Sequence, residues 1–447
     1  MAESRGRRSL AVIGGGAAGI AACFEAAASG HFDISLYEKK PVLGGLCGSF
    51  AWNGREWDRF YHVCLPGDRE TRRFLARVGL GKSLAWRRVR SGYLAGGRVR
   101  SLASIPDVVR FPGLSAAEKI RLLTGALRSQ LARKAIRVDR RNAVDWARSI
   151  FGSGPYAKVW GPLLRSKFGS ASSRMSAVYL WSSLRRLSGN RMPGRGEQMG
   201  YWRGGCAALV RAAEGQLIRS GVRVFKDVEV FEVKSALTEG KNQPSRGFIL
   251  RTSEGERFFD AVASAVPLSH LPGIADSSLL GDALRGRLLS LENLGLVNVV
   301  LFLRKSLSPY YILNLLDESL PFTGIIESSN VMDDVESGGF AIVHLPRYLA
   351  AEDPLSAEDD ERIAALFIEK LRGVFPSLHE SDIVHRTVFR ERRVQPLHGP
   401  GFLTPTPLPR IPWPGLALAA SPHLRNLNAD LAEGRKAAAA LLQQDFF

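Results

Sequence analysis

The sequence predicts an α/β fold, in which a domain built on a parallel sheet is interrupted by insertions that form a second, mixed α+β domain. Near the N-terminus, a short apolar run ends in a glycine-rich turn that leads into a helix-forming segment. Residues 91–200 are mainly helical in pattern, whereas residues 271–399 hold strand-like apolar runs. The chain has 447 residues, 45% hydrophobic and 23% charged, which is enough to bury a sizeable core and excludes disordered and collagen-like classes.

The first element is a buried strand over residues 9–13, followed at once by the glycine turn and a helix. Gly14, Gly16 and Gly19 have the spacing GxGxxG in the context that this motif requires. The first glycine permits a tight turn, the second lets backbone approach a pyrophosphate, and the third lets the helix pack on the strand. The helix N-terminus offers unpaired N–H groups to the anion. The pattern therefore predicts a dinucleotide site.

A second strand, over residues 33–37, ends at Glu38, about 20 residues beyond the glycines. A carboxylate in this place accepts hydrogen bonds from ribose hydroxyls. A second glycine pair follows, Gly44 and Gly45, which resembles the pair that two-domain FAD enzymes carry after their ribose-binding acid. That pair is absent from simple NAD dehydrogenases, so the resemblance implies FAD. Leu46 stands where those enzymes usually carry an arginine.

Further segments continue the resemblance along most of the chain. Residues 56–62 resemble a flavin-edge loop, and residues 201–205 resemble a flavin-proximal turn. Residues 221–230 resemble an adenine-contacting strand, and residues 264–267 a strand end that returns to the FAD domain. Residues 414–420 resemble the closing motif, which a helix from about Leu431 follows. Together they resemble the amine oxidase superfamily, in its branch similar to protoporphyrinogen oxidase and phytoene desaturase, with UDP-galactopyranose mutase more distant. The resemblance implies a Rossmann-like FAD-binding domain of the two-domain flavoenzyme type, with an inserted mixed α+β substrate domain.

The resemblance also implies which residues surround the cofactor. The expected cofactor-binding residues are Gly14, Gly16, Ala17, Ala18, Gly19, Glu38, Lys39, Gly44, Gly45, Leu46, Phe60, Tyr61, His62, Val228, Ala265, Ala420 and Ser421. Ser421 stands where the closing motif usually has an aspartate bonded to the ribityl chain, and a hydroxyl would bond it more weakly. Relatives that attach FAD through cysteine do so near this motif, and no cysteine follows Cys206, so FAD should be bound non-covalently.

The flavin-edge loop carries the expected catalytic contacts, which are His62, Arg59 and Tyr61. Flavin chemistry needs no protein nucleophile, because the isoalloxazine accepts the hydride and the protein supplies placement and electrostatics. His62 could act as a general base near neutral pH, or it could hold the loop through a backbone hydrogen bond.

A second group of residues is expected to border the substrate cavity. These residues are Trp160, Arg165, Lys167 and Trp202. Aromatic side chains would supply apolar wall, and the cations could hold a carboxylate. Packing of Trp160 and surface exposure of Lys167 are the plainer alternatives.

The four cysteines, Cys23, Cys47, Cys64 and Cys206, form no CxxC pattern and no Cys/His cluster along the chain. This spacing disfavours a disulfide scaffold and a zinc site. We therefore expect free thiols in a reducing compartment, and no metal.

The net charge is +18, from 61 Lys and Arg against 43 Asp and Glu, and most of the excess lies within residues 69–141. Such a block could meet an anionic membrane surface or an anionic substrate, or it could form a solvated basic face. No motif of nucleic-acid binding accompanies it, so we expect no nucleic-acid partner.

A capping box, Ser115 with Glu118, opens an amphipathic helix inside this basic block. The helix pattern places Ile120, Leu123 and Leu127 on one side and Lys119, Arg121 and Arg128 towards the rim. The apolar side could lie on an anionic membrane or pack against the inserted domain. Relatives with apolar substrates commonly take them from a membrane, so the resemblance implies peripheral membrane contact.

The first residues need a separate interpretation, because residues 5–9 and the apolar run 10–24 could be mistaken for a twin-arginine export signal. The run contains three glycines of the nucleotide motif, and Glu25 ends it short of the roughly 18–20 residues that a membrane span needs. We therefore expect a cytoplasmic protein without a cleaved signal or spanning helix, with contact to the inner membrane face left open.

Domain boundaries follow from the resemblance, in which the FAD-binding domain is discontinuous. The expected pieces are residues 1–90, 201–270 and 400–447 for FAD binding, 91–200 for a helical substrate or cap region, and 271–399 for the substrate-domain sheet.

Three functions are compatible with these motifs. The first is an FAD-dependent oxidoreductase that oxidises a C–N or C–C bond of a rather apolar small molecule by hydride transfer to flavin, with oxygen or a quinone as electron acceptor. The second is a non-redox flavoenzyme similar to UDP-galactopyranose mutase, in which the basic block meets a diphosphate. The third is a flavin-binding protein without catalysis, which the unusual Leu46 and Ser421 would fit.

Overall fold

The computed structural model describes residues 7–102, 104–131, 135–188, 191–192, 196–238, 245–403, 408–420 and 426–444. In chain order the strands are β1 (Arg8–Ile13), β2 (Phe32–Glu38), β3 (Ser49–Trp52), β4 (Arg55–Asp58), β5 (Leu84–Arg88), β6 (Ser91–Ala95), β7 (Arg98–Arg100), β8 (Arg191–Met192), β9 (Gly196–Trp202), β10 (Arg223–Lys226), β11 (Val230–Thr238), β12 (Ser245–Thr252), β13 (Gly255–Phe259), β14 (Ala261–Ser264), β15 (Glu292–Leu303), β16 (Ile312–Leu315), β17 (Gly324–Glu327), β18 (Ala341–Leu349), β19 (Ile383–Leu397) and β20 (Leu416–Leu418).

The α-helices alternate with these strands or form a separate layer. They are α1 (Ala17–Ser29), α2 (Arg69–Arg77), α3 (Ile105–Arg110), α4 (Ala116–Leu131), α5 (Ala135–Asp139), α6 (Ala143–Phe151), α7 (Ser153–Pro155), α8 (Gly161–Phe168), α9 (Val178–Ser188), α10 (Gly205–Arg219), α11 (Leu271–Ile274), α12 (Ser277–Leu289), α13 (Asp334–Ser337), α14 (Asp360–Val374) and α15 (Leu427–Leu442).

The first domain is built on a parallel sheet with strand order β10-β2-β1-β14-β20. Its central strand β1 is apolar and buried, as expected for a parallel strand covered on both faces. One face packs against α1, α10 and α15, and the other packs against the sheet β11-β12-β13 with α11 and α12. The α/β fold with a parallel sheet that the glycine motif predicted is therefore confirmed.

Close packing of two helices fixes the closing segment of the chain against the glycine turn. A Cβ added at Gly434 in α15 would lie 1.9 Å from the carbonyl oxygen of Ala18 in α1, so only glycine fits there. Helix α15 begins at Leu427, which is four residues earlier than the sequence pattern suggests. The side chain of Asn426 caps it by accepting a hydrogen bond from the Ala429 N–H at 3.0 Å.

The second domain contains a seven-stranded sheet with order β19-β15-β18-β17-β16-β6-β7. Strand β15 pairs antiparallel with β18 on one side and with β19 on the other. Helix α14 packs on one face of this sheet. Strands β6 and β7 join its far edge, so residues at the start of the mainly helical region add to the sheet as well.

Helices α3 to α9 form a separate layer around a core that includes Trp146, Phe151 and Trp181. The predicted capping box opens this layer's longest helix, α4. The Ser115 N–H donates to Glu118 at 2.7 Å, and the Glu118 N–H donates to the Ser115 hydroxyl at 3.3 Å. Among the described residues, no helix has the length and apolar character that crossing a membrane requires.

Candidate functional site

A cavity of about 510 Å³ opens at the carboxyl ends of strands β1, β2 and β14. Ligands of open parallel sheets bind at this edge, because the strand ends and the following turns leave a crevice there. The cavity runs from the glycine turn to an aromatic end formed by Phe60, Tyr61 and Tyr348. It is long enough to bring together segments from the beginning, middle and end of the chain.

The glycine turn has the backbone geometry that each glycine was expected to provide. Gly14 has a φ of 100°, and its N–H donates to the Tyr37 carbonyl at 2.8 Å. A Cβ at Gly19 would lie 1.8 Å from the Gly14 carbonyl oxygen, so this glycine permits the helix to pack on the turn. At Gly16 the nearest atom to an added Cβ is 4.0 Å away, so the space in front of it belongs to the cavity.

The second glycine pair packs directly on the first turn. The Gly44 N–H donates to the Gly15 carbonyl at 2.8 Å. Gly45 has a φ of 57°, and a Cβ there would lie 3.2 Å from the Gly16 Cα. The two backbones therefore meet without intervening side chains, and they form one wall for an extended ligand. Leu46 follows on this wall and lines the cavity.

Glu38 closes the turn from the other side. One carboxylate oxygen accepts the Gly15 N–H at 2.7 Å, and the other accepts the Lys40 N–H at 2.9 Å. Each carboxylate oxygen has a further lone pair, which a ribose hydroxyl can use. The Val228 N–H already donates to the Glu38 carbonyl at 3.0 Å, so an adenine contact by this valine would use its carbonyl oxygen.

The structure brings most of the expected cofactor-binding residues together at the cavity. Those that line it are Gly14, Gly16, Ala17, Ala18, Glu38, Lys39, Gly44, Gly45, Leu46, Phe60, Tyr61, His62, Val228 and Ala265. Gly19 lies beneath the turn instead, and Ala420 packs against the core behind β20. Ser421 lies outside the described residues. The cofactor roles of these residues stay predictions.

Other lining residues were not found by sequence reasoning. Arg392 and Arg393 at the end of β19 and Asn426 and Asp430 at the start of α15 line the cavity. No motif in the sequence gives the position of these arginines. The N-cap pattern of α15 was the available signal for Asn426.

The aromatic end of the cavity combines ring faces with one pair of hydroxyls. The Tyr61 and Tyr348 hydroxyl oxygens lie 3.3 Å apart, and Leu296 lines the same end. Burial raises the pKa of Tyr61 to about 12, so the phenol is neutral at physiological pH. This end therefore offers ring faces, a leucine and a weak hydrogen-bonding pair to a bound molecule.

His62 lies beside this end, within a buried polar cluster. Its Nδ1 lies 3.1 Å from the Phe60 carbonyl oxygen, to which its N–H donates. Burial opposes the charged imidazole, yet the neighbouring Cys47 and Asp58 raise the pKa of His62 to about 9. This direction favours the protonated imidazole near neutral pH, in which His62 is a hydrogen-bond donor, and its role as a general base stays a prediction.

The cluster continues through two cysteines and an aspartate. Donor atoms of Cys47, His62 and Cys206 lie within 4.8 Å of one another, so the fold brings together a Cys/His cluster that the spacing along the chain does not show. The hydrogen bond from Cys206 lowers the pKa of Cys47, and the same bond raises that of Cys206. The Cys206 N–H donates to Asp58 at 2.8 Å, and burial raises the pKa of this carboxyl to about 6.

Two expected site residues hold the loops around the cavity rather than line it. The Arg59 Nη2 donates to the Gly45 carbonyl at 3.1 Å, and its guanidinium fills the space beside Gly48. The Trp202 ring is fully buried in the sheet core, and its Nε1 donates to the Gly205 carbonyl at 2.6 Å. The expectation for Trp202 is corrected, because its buried ring is bonded to backbone beneath the site, whereas the catalytic role of Arg59 stays a prediction.

Trp160 and Arg165 also lie away from the cavity. The Trp160 ring packs against the Phe151 ring, with the two centroids 4.8 Å apart. Trp160 is therefore a packing residue, which was the plainer alternative. Arg165 forms an ion pair with Glu318 at 2.7 Å near the surface. Neither is among the described residues that line the cavity.

Lys167 lies behind the cavity wall, in contact with a residue that lines it. Its Nζ donates to the Tyr179 hydroxyl at 2.5 Å and lies 4.5 Å from the centroid of the Tyr348 ring. Tyr348 in turn lines the cavity, so Lys167 supports the wall from behind. Lys167 is therefore not exposed at the surface, as the plainer alternative would have it, and it does not line the cavity directly.

A glycine turn with open space before it, Glu38 at the end of β2, and a second glycine pair packed on the first form the kind of site that FAD-dependent oxidoreductases have. The family described as flavin containing amine oxidoreductase matches residues 17–441 of the chain. The protein belongs to this family, as the motifs predicted, and FAD is its cofactor.

Similarity to individual proteins extends over nearly the whole chain. The zeta-carotene desaturase of Synechocystis sp. is 24% identical over 493 residues, which cover 97% of each chain. A protein of Exiguobacterium sp. provisionally assigned as a protoporphyrinogen oxidase has a TM-score of 0.75 at 16% identity, covering 99% of this chain and 100% of that one.

Two further solved structures share the fold. A reduced UDP-galactopyranose mutase has a TM-score of 0.75 at 16% identity over 98% of this chain and 94% of that one. The cyclohexylamine oxidase of Brevibacterium oxydans has a TM-score of 0.72 at 14% identity over 98% of this chain and 99% of that one. At these identities, such structures show the two-domain flavoenzyme fold alone.

Proposed function

We propose that the protein desaturates a rather apolar small molecule, in which a hydride leaves one atom of a C–C or C–N bond for FAD and the neighbouring atom releases a proton to solvent, while the two electrons pass from the flavin to oxygen or a quinone. The observation that carries this proposal is the apolar and aromatic end of the cavity, formed by Phe60, Tyr61, Leu296 and Tyr348. The full-length relative named as a desaturase favours the C–C bond over the C–N bond.

The chain's own residues would hold the cofactor in a defined direction. The glycine turn at Gly14 and Gly16 would receive the pyrophosphate, and Glu38 would receive the ribose hydroxyls. When bound, FAD supplies the two-electron acceptor that the protein's side chains lack. Arg392 and Arg393, which line the cavity, would place positive charge near the phosphates.

The aromatic end would orient the substrate and exclude water. Leu296 is only 4% exposed, and the Tyr61 and Tyr348 hydroxyls bond to each other. These side chains therefore offer few hydrogen-bonding groups to water. Lys167 and Tyr179 hold the Tyr348 ring from behind. An apolar substrate bound there would be oriented by shape and ring contacts, with few polar contacts to fix it.

Apolar molecules partition into membranes, and one surface of the protein suits membrane contact. We define the α3–α4 surface as the exposed apolar side chains of these helices, namely Ile105, Val109, Ile120, Leu127 and Leu131. Basic residues of the same helices, Arg110, Lys119, Arg121 and Arg128, border it. The buried residues of α4 are Leu122, Gly125 and Ser129, and Leu123 packs half-buried against the same core, so of the expected apolar side Ile120 and Leu127 are left exposed. The positive charge of the α3–α4 surface is complementary to an anionic lipid surface, and we propose such a membrane as the partner of this surface.

Anaerobic mixing of the purified yellow protein with candidate substrates tests the proposed reaction. Apolar polyenes should bleach the flavin in a single turnover, and readmitted oxygen or an added quinone should restore its colour. Bleaching by amines alone would assign the C–N bond. Isomerisation of UDP-galactopyranose after prior flavin reduction, without net oxidation, would contradict the proposal and identify a mutase.

A variant pair ties the reaction to the aromatic end. Leu296→Ala should slow bleaching by about tenfold or more, because missing methylene contacts in an apolar pocket are worth about 1–3 kcal/mol. Leu301→Ala is the matched control, since this leucine is buried in the same strand on the face that packs in the sheet core. Equal slowing in both variants would indicate a general loss of stability and would contradict the assignment.

A further inference from the structure

Three soft ligand groups meet at the edge of the cavity. The sulfur atoms of Cys47 and Cys206 and a ring nitrogen of His62 lie within 4.8 Å of one another. Donor atoms around a tetrahedral Zn²⁺ lie at about 2.0–2.3 Å from the ion, so a modest inward movement of these three groups would enclose one. Two thiolates and one imidazole are donors that Zn²⁺ and related thiophilic ions prefer, whereas Mg²⁺ and Ca²⁺ prefer oxygen.

Backbone and carboxylate groups already orient two of these three donors. The His62 Nδ1 is bonded to the Phe60 carbonyl at 3.1 Å, which leaves Nε2 for a ligand. An imidazole whose second nitrogen is held by a carbonyl is the usual arrangement of a metal-bound histidine. Cys206 is held at the start of α10, where Asp58 accepts its N–H at 2.8 Å.

The three donors also have suitable surroundings and access. Cys206 is fully buried and Cys47 is 5% exposed, so their thiolates would be in a dry site where a divalent charge is needed to balance them. Cys47 and His62 line the cavity, which gives an ion a route to the site. The other cysteines lie elsewhere: Cys23 is in the middle of α1, and the Cys64 thiol donates to the Leu65 carbonyl.

We propose that Cys47, His62 and Cys206 form a binding site for one thiophilic divalent cation, with Zn²⁺ as the ion that the donor set fits best. Three protein ligands leave a fourth position for a water molecule or a bound ligand. The ion would tie together the second glycine loop, the flavin-edge loop and the start of α10. His62 would then serve as a ligand rather than a proton carrier.

Titration of the full-length purified protein with Co²⁺ and Cd²⁺ tests the site without measuring turnover. One equivalent of Co²⁺ should give the ligand-field bands of a tetrahedral thiolate complex, at wavelengths longer than the flavin absorbs. Cd²⁺ should give a thiolate charge-transfer band in the ultraviolet with the same stoichiometry. Added Zn²⁺ should abolish the Co²⁺ bands by displacement.

Variants at the site and at matched positions locate the bound ion. Cys47→Ser, Cys206→Ser and His62→Gln should each weaken Co²⁺ binding by more than about 100-fold, and Asp58→Asn by about 10- to 100-fold. Cys23→Ala and Cys64→Ala change equally buried cysteines outside the cluster and should bind Co²⁺ as the wild type does. Flavin absorbance and circular dichroism identify any variant that fails to fold.

Two results would overturn the proposal. The first is wild-type protein in reducing buffer that gives no thiolate–metal band with either ion. The second is a Cys47–Cys206 disulfide that forms in air and reforms after reduction in the presence of Zn²⁺, which would assign the pair to thiol redox chemistry. Either result leaves the desaturase proposal standing, because flavin bleaching is measured separately.

Discussion

Gly16 is the residue at which cofactor binding can be separated from folding. An added Cβ meets its first neighbour only at 4.0 Å, so a larger side chain has room in the protein itself. That room is the path expected for the pyrophosphate. We predict that Gly16→Leu folds but is purified colourless, with FAD content reduced at least about tenfold. Absorbance of the acid-released flavin measures the occupancy.

Gly286→Leu is the matched control for this substitution, since Gly286 is an exposed helical position in α12 with no atom within 4 Å of an added Cβ. It should be purified yellow. Full flavin occupancy in Gly16→Leu would show that the cofactor does not pass this glycine, and the assignment of the turn would fail.

Residues that act through local backbone geometry were predictable, and residues that meet only through the fold were not. Gly14, Gly16 and Glu38 lie within one strand–turn–helix–strand unit, whose spacing specifies their positions. Cys47 and Cys206 are far apart in sequence, and they meet because α10 begins beside the second glycine loop. Trp202 was misplaced because its aromatic character suits a cavity wall and a core equally well.

At the scale of elements, helix α4 shows that the start of a helix can be predicted while the side that it buries cannot. The capping box located its start, but Leu122 and Gly125 face the domain while Ile120 and Leu127 are exposed. Gly125 permits this packing, because a Cβ there would lie 2.4 Å from the Phe151 ring. A pattern based on large apolar residues could not show that a glycine marks the buried side.

The exposed side of α4 leads to a prediction about lipid binding. Wild-type protein should sediment with phosphatidylglycerol vesicles at low salt and be released as salt is added. The double variant Ile120→Glu with Leu127→Glu should bind at least about tenfold more weakly, because it removes two apolar side chains and adds negative charge. Vesicle sedimentation measures both.

Leu237→Glu with Leu289→Glu provides the control, since these leucines are 71% and 62% exposed on other elements and the charge change is the same. It should sediment as the wild type does. Loss of binding in this control, or wild-type protein that stays in the supernatant, would contradict the proposal and indicate that the α3–α4 surface is exposed to solvent only.

At the scale of the whole molecule, discontinuous segments assemble each domain. Strands β1, β10, β14 and β20 come from distant parts of the chain and lie in one parallel sheet. The order of such a sheet could be expected only from the resemblance, because apolar strands of this kind do not specify their neighbours. The division of the chain into domains at the stated boundaries stays a prediction.

The second domain contains a buried acid that should make global stability depend on pH. Glu327, at the end of β17, is 2% exposed, and burial raises its pKa from 4.5 to about 7. One of its oxygens accepts the N–H groups of Leu307 and Ser308 at 3.2 Å, and no cation pairs with it among the described residues. These bonds offset only part of the cost of burying the charge.

The folded state therefore keeps the Glu327 proton over a pH range in which the unfolded chain has lost it. Below the unfolded pKa both states are protonated and the group has no effect. Between the two pKa values the unfolded chain gains stability, so the free energy of unfolding falls as pH rises, by roughly 3 kcal/mol in total. Above the folded pKa both states are ionised and the loss is complete.

We predict that Glu327→Gln becomes more stable relative to the wild type as pH rises, with most of the gain between about pH 5 and about pH 8. The glutamine keeps an acceptor oxygen for the two N–H groups and removes the ionisation. Urea denaturation at each pH measures the difference, and Glu369→Gln, whose side chain is 70% exposed, is the control. A difference between Glu327→Gln and the wild type that does not change with pH would show that Glu327 is ionised in the folded protein throughout this range.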